Sequence, residues 1–275
     1  MHDHNPLKQY FRRPSIYLKL PSRGVGYDNT VLTIPESGEL PVYPMTALDE
    51  ITAKTPDALY NGMAVCDIIK SCVPSIKDPW KINNLDMDAI LVAIRIATNG
   101  TEMEIESTCP SCNEESKYGV NLSRILGNFV AGDYDQLLTI NDLKIKFKPM
   151  NYREVTNSSV KQFEIQKALQ NLQLIENEDE RTSKSTELLR LITNSTMDVM
   201  ANTIEYIQTP DTRVTEKEFI LEFIVNSEKS VFELIKDTGL KLRETTQMKP
   251  LNMKCVNCSH EYEQTFTLNI SDFFE

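Results

Sequence analysis

Two Cys-x-x-Cys pairs, Cys109-Pro-Ser-Cys112 and Cys255-Val-Asn-Cys258, are separated by 142 residues. Thiolates at i and i+3 let one tight turn offer two ligands, and a structural zinc ion takes four in a tetrahedron. Two such turns predict a single site of four thiolates. It would pin the middle of the chain beside residue 258, whatever folds in between. Met103 and Ile105 alternate with Glu102, Glu104 and Glu106 ahead of Cys109, and Tyr118, Val120 and Leu122 alternate after Cys112. Leu251 and Met253 lead to Cys255; Tyr262, Phe266, Leu268 and Ile270 follow Cys258. A period of two marks strands, so each pair is expected at the tip of a hairpin. Both copies close alike, as Asn121-Leu-Ser-Arg-Ile-Leu and Asn269-Ile-Ser-Asp-Phe-Phe, which makes them an approximate internal repeat.

The residues around this site point to structure rather than catalysis. Four thiolates leave no open position for a substrate or an activated water. The chain has three histidines, His2, His4 and His260. His260 could replace a thiolate, but two residues past Cys258 it reads as a surface neighbour of the knuckle. No HExxH, GxSxG, GxxxxGK[ST] or GxGxxG occurs, so no enzymatic activity is expected. A redox pair would open a helix after a strand, and neither pair is followed by a helical pattern. Cys66 and Cys72 lie in an apolar run and read as small buried hydrophobes.

Composition narrows the class of partner. Of 275 residues, 40% are hydrophobic and 25% charged, which is ordinary for a globular chain. A net charge of −11 argues against broad binding to nucleic acid or to anionic membranes, although Lys8 to Arg23 is locally basic. Beside the knuckles only Lys117 and Lys254 are basic, which makes no phosphate-binding stripe. A zinc-ribbon regulator that binds nucleic acid is the alternative reading. No window approaches the ~18 apolar residues of a membrane span. The first residues lack the apolar core of a signal peptide, so a cytosolic birthplace is expected, where structural disulfides are uncommon.

The pattern along the chain predicts an α+β protein: N-terminal strands and helices, two zinc-knuckle hairpins forming one zinc-ribbon-like four-cysteine unit, and a helical insertion between them. Residues 1–45 read as an extended arm with edge strands at Pro14–Pro21 and Asn29–Ile34 and an extended Leu40–Pro44. Residues 46–100 read as helical, with Ala47–Lys54 capped by Thr46 and Asp49, then Asp57–Val73 after the start signal Thr55-Pro56, then Asp86–Thr98 closed by Asn99-Gly100. Residues 101–150 with 244–275 make the knuckle unit, including a strand pair over Leu138–Phe147. Residues 151–243 are the insertion, with helices at Tyr152–Ile175, Ser185–Ile207, Thr215–Val225 and Lys229–Leu240. Thr215 and Glu218 suggest a capping box, and Glu176–Glu180 reads as a solvated acidic loop. In the arm, Tyr10, Phe11, Arg12, Arg13 and Tyr17 are candidate partner contacts, because aromatics and Arg are common interface anchors. Phe273-Phe274 reads as either a local core plug or a partner contact.

The order of several segments is distinctive. Arg12-Arg-Pro-Ser-Ile-Tyr-Leu-Lys-Leu-Pro-Ser22 is followed by Leu40-Pro-Val-Tyr-Pro-Met-Thr46. Thr55-Pro-Asp-Ala-Leu-Tyr-Asn-Gly62, Cys72-Val-Pro74 and the two knuckles then follow. This combination resembles the baseplate hub and hub-assembly proteins of T4-like tailed bacteriophages, most clearly over about residues 12–125 and 250–275. The resemblance implies a non-enzymatic late protein made in the host cytoplasm. Its partners would be other tail proteins. It would either stay in the baseplate hub of the virion or help the hub and the tape-measure protein come together.

Overall fold

The computed structural model describes residues 6–54, 62–246 and 249–265. The chain is a mixed α+β protein of helices and small antiparallel sheets. It divides into two compact units, one made of residues 1–130 and 247–275 and the other of residues 131–246.

The first unit opens with a 3-10 turn at Pro6–Tyr10, then strand β1 (Ile16–Leu18) pairs with β2 (Leu40–Val42). Helix α1 (Ala47–Ala53) starts at the expected capping box: the Thr46 hydroxyl accepts the Asp49 amide, and the Asp49 carboxylate takes the Thr46 amide. Helices α2 (Met63–Cys72) and α3 (Asn84–Asn99) follow. A helix apolar around most of its circumference belongs inside a fold. In α3, Met87 and the run Ala89–Ile94 are all buried, against Val65, Ile68, Ile69 and Cys72 from α2 and Leu18, Leu40 and Val42 from the small sheet. Cys66 and Cys72 are buried, as expected. Residues 55–61, which include the Thr55-Pro56 start signal, lie outside the described residues. Gly100 ends α3 at φ +88°, a conformation that a Cβ would strain.

A buried polar cluster locks the N-terminal loop onto this helix. The Asp86 carboxylate accepts the Ser22 amide (2.9 Å) and hydroxyl, the Tyr27 hydroxyl (2.7 Å) and Asn83 Nδ2 (3.0 Å). Burial and the facing carboxylate drive the Tyr27 phenol well above its ordinary value, so it remains a donor. The stretch Asn29–Ile34 was expected as a strand but forms only one bridge, Leu32 to Ile76. The reason is local. The Asp28 carboxylate takes the amides of Thr30 and Val31, and this side-chain turn replaces a ladder.

After α3, strands β3 (Glu102–Thr108) and β4 (Glu115–Asn121) form a two-stranded ribbon, and the Asn121 side chain caps the short helix α4 (Leu122–Gly127). Its sequence counterpart at Asn269 lies outside the described residues, as do Phe273 and Phe274.

In the second unit, β5 (Leu137–Ile140) and β6 (Leu143–Phe147) form a hairpin, followed by the long helices α5 (Tyr152–Leu172) and α6 (Glu178–Asn202). Strands β7 (Ile204–Gln208) and β8 (Arg213–Val214) complete a sheet in the order β5-β6-β7-β8, and helices α7 (Lys217–Asn226) and α8 (Lys229–Thr246) cover it. Ile145 faces Ile207 across β6 and β7, and with Phe147, Ile204, Ile220, Ile224 and Ile235 they form the core.

Three local expectations fail here. The predicted helix Ser185–Ile207 ends at Asn202, and Ile204–Ile207 become β7 because β6 offers both a ladder and apolar partners. The acidic stretch is not all loop: Asn177 accepts the amides of Asp179 and Glu180, so the acids occupy the first turn of α6, where the helix dipole favours them. The Thr215 capping box does not form. Glu216 takes the N-cap position of α7, and its own carboxylate binds the Thr215 amide.

The chain re-enters the first unit through β9 (Leu251–Lys254) and β10 (Glu261–Gln264), a second two-stranded ribbon.

Candidate metal centre

The two Cys-x-x-Cys turns have one backbone design. In the first, the Cys109 amide binds the Glu114 carbonyl (2.9 Å) and the Asn113 amide returns to the Cys109 carbonyl (2.9 Å). In the second, Cys255 binds His260 (2.9 Å) and Ser259 returns to Cys255 (3.0 Å). The residue after the second cysteine is left-handed in both, at φ +58° for Asn113 and +60° for Ser259. The flanking strand pairs also correspond, with Thr108 opposite Glu115 and Lys254 opposite Glu261. Matching bonds and matching dihedrals make the repeat structural and not merely compositional.

These turns bring the four sulfurs together. Cys109 Sγ lies 3.7 Å from Cys258 Sγ, and Cys112 Sγ lies 3.6 Å from Cys255 Sγ. All four lie within 4.8 Å of one another. Four sulfurs about 2.3 Å from a central zinc ion would sit about 3.8 Å apart, so the donor set fits a tetrahedral thiophilic cation. A disulfide needs a sulfur separation of about 2.05 Å and fits neither contact. Among the described residues no other His, Cys, Asp or Glu group converges in this way. His260 is not a member. It is exposed, and its ring lies parallel to that of Tyr262 at 6.4 Å.

The buried Cys255 thiol and the exposed Cys112 thiol are held differently. The amide of Cys258, joined by that of Asn257, points at the Cys255 sulfur and holds its thiol down at about 7 despite desolvation. The Glu114 amide pulls the Cys112 thiol in the same direction, but the Cys258, Cys255 and Cys109 sulfurs and desolvation prevail and push it up to about 12. Four sulfurs this close do not all shed their protons unless a positive charge balances them. Burial is asymmetric: Cys109 and Cys255 are buried, Cys112 and Cys258 exposed.

Polar contacts between the ribbons reinforce the arrangement. Ser107, buried on β3, bonds Tyr262 (2.9 Å) and Gln264 (2.9 Å) on β10, and the Tyr262 hydroxyl donates to Tyr118 on β4 (3.4 Å). Sequence reasoning missed this stitch. Alternation puts these side chains on the inward faces, but nothing in it says that the two faces meet.

The arm residues separate into two groups. Arg12 turns inward, where its guanidinium reaches the Pro44 carbonyl, the Ser71 carbonyl and hydroxyl (2.7 Å each) and the Asp49 carboxylate (3.3 Å). Tyr10, Phe11, Arg13 and Tyr17 are exposed, Tyr10 at 77% and Tyr17 at 63%.

The profile of the family described as T4 bacteriophage base plate protein matches residues 29–275. The chain belongs to that family. Neither the curated proteins nor the solved structures include a match. Membership makes this a component of a phage baseplate, with other tail proteins as its partners, and both knuckles fall within the matched region of this base plate family member. No helix among the described residues is long and apolar enough to cross a membrane.

Proposed function

We propose that this base plate protein is a non-enzymatic structural or assembly component of the tail hub, and that Cys109, Cys112, Cys255 and Cys258 hold a structural zinc ion. The observation that carries the reading is the convergence of four sulfurs from two matching knuckles at tetrahedral spacing. Zinc bound there supplies a positive charge and a cross-link. The chain supplies the rest: amides that stabilise thiolate, two ribbons in register, and the Ser107–Tyr262–Tyr118 stitch. Two short ribbons bury too little apolar surface to hold together unaided, so a metal clasp suits them. All four positions are taken by protein, which suits rigidity and leaves no place for a substrate.

On this reading the clasp joins the ribbon Glu102–Asn121 to the ribbon Leu251–Gln264 within the first unit, before and after the residues 131–246 that form the second. The exposed arm residues Tyr10, Phe11, Arg13 and Tyr17 meet neighbouring tail proteins, with the tape-measure protein as one candidate, while Arg12 holds the arm in place. Assembly takes place in the host cytoplasm. The test is isolation of the protein from infected cells with its bound partners, followed by mass spectrometry and elemental analysis. Hub proteins and about one zinc per chain are expected. Steeply salt-dependent binding to DNA or RNA, with no tail protein retained, would overturn the reading in favour of a nucleic-acid-binding regulator.

A further inference from the structure

The N-terminal segment has an unusual charge distribution. Residues 6–27 carry Lys8, Arg12, Arg13, Lys19 and Arg23 and no acidic residue, in a chain of net charge −11. Arg12 is spent on the internal contacts with Asp49 and Ser71. Arg13 and Lys19 are exposed and make no ion pair among the described residues. Along the extended stretch Phe11–Lys19 exposure alternates, so Phe11, Arg13, Tyr17 and Lys19 share the outward side.

The same unit carries an opposite surface with the same period. Glu102, Glu104 and Glu106 are all exposed on one face of β3, about 7 Å apart in succession; Glu102 accepts from the Asn121 side chain (2.6 Å) and Glu106 meets the exposed Lys117 (3.5 Å), so the row keeps a net negative charge. Among the described residues the β3–β4 ribbon has no third strand, so an unpaired strand edge runs beside this acidic face. Among the described residues β1, within the basic stretch, likewise pairs only with β2. Two extended rows of opposite sign, each beside an unpaired strand edge, are complementary in charge and in spacing.

We infer that the outward row of the arm docks onto the Glu102–Glu104–Glu106 face of a second copy of this chain, in a head-to-tail contact. This rests on the reading of the arm as a protein-docking element and names its partner. A contact between two different surfaces leaves one of each free on the pair, so it propagates into a ring or an open chain instead of stopping at a symmetric dimer. Nucleic acid is the weaker occupant for the basic row: few cations are free, and the remaining surface is strongly acidic.

The test is sedimentation of the full-length, zinc-loaded protein at low and high salt. Concentration-dependent self-association that weakens with salt is expected. The double variants Arg13→Glu with Lys19→Glu and Glu104→Lys with Glu106→Lys should each lose at least about tenfold in self-affinity, and mixing the two should restore association, with the variants alternating along the ring or chain. Circular dichroism checks that both remain folded. A wild-type protein that stays monomeric throughout overturns the inference, as does a mixture that fails to associate. If instead Arg13→Glu with Lys19→Glu releases only other tail proteins from the purified complex, the docking role of the arm stands and the second-copy assignment falls. Salt-sensitive binding of an oligonucleotide through the arm, without self-association, overturns both.

Discussion

The Sγ atoms of Cys112 and Cys255 lie 3.6 Å apart although they are 143 positions apart in sequence. Nothing local can impose such a contact. It results from two turns of matching hydrogen bonding whose ribbons meet through Ser107, Tyr262 and Tyr118, and it gives the proposed clasp measurable consequences.

If the tetrad holds zinc as proposed, removing one thiol should empty the site. Cys112→Ser, at an exposed position, is expected to reduce bound zinc from about one per chain to near zero and to cost at least about 2 kcal/mol of stability. A strong chelator should do the same to the wild type and have no further effect on the variant. Elemental analysis with thermal melts checks both. A variant that melts like the wild type would show that the four sulfurs meet without needing a cation.

The left-handed residues of the knuckles can be improved. Glycine takes this conformation without steric cost, and Ser tolerates it less well than Asn. Ser259→Gly should stabilise the protein by about 0.4–1 kcal/mol, Asn113→Gly should be closer to neutral, and Val at either position should destabilise by about 1–2 kcal/mol. Denaturant midpoints provide the readout.

Arg12 joins the arm to α1 and α2 through Asp49, Ser71 and Pro44. Arg12→Ala leaves the largely buried Asp49 carboxylate without its cation and should cost about 2–3 kcal/mol. Arg12→Lys should recover only part of that, because an ammonium cannot fork to several acceptors. Limited proteolysis is expected to cut the arm of the Ala variant first.

Asp88 lies half-buried on α3, its one hydrogen-bond contact among the described residues being the Asn84 side-chain amide at 3.5 Å, and burial pushes its carboxyl up to about 7. The folded form therefore holds its proton at pH values where the unfolded chain has released it. Stability from this group is present below the ordinary carboxylate range and is lost as the pH rises through about 7. Asp88→Asn should be nearly neutral at about pH 4 and should stabilise by about 1–2 kcal/mol at about pH 8. Urea titrations at the two pH values check the sign.

What the sequence disclosed and what it withheld follow from the range of the interactions. Thr46 with Asp49, and the run from Met87 to Ile94 in α3, depend on neighbours a turn away, so their patterns were legible. The knuckle ribbons were legible because period-two alternation surrounds each Cys-x-x-Cys. Ile204 and Ile207 were misread as helix because the decisive partners, Phe147 and Ile145 on β6, lie far earlier in the chain. Asn29–Ile34 misled for the opposite reason: its apolar residues suit a strand, but the carboxylate of Asp28 captured the amides first. The inward turn of Arg12 was invisible, since Asp49 and Ser71 carry no mark of sharing one guanidinium.

One ribbon of the clasp precedes the second compact unit and the other follows it, which sets an order on synthesis. The ribosome must deliver all of residues 131–246 before Cys255 exists to meet Cys112. Cys109 and Cys112 are therefore without their partner thiols until residues 131–246, with the core around Ile145 and Ile207, have been made. Maturation of this protein is thus gated by the last translated knuckle, and a prematurely truncated chain cannot complete the sulfur tetrad.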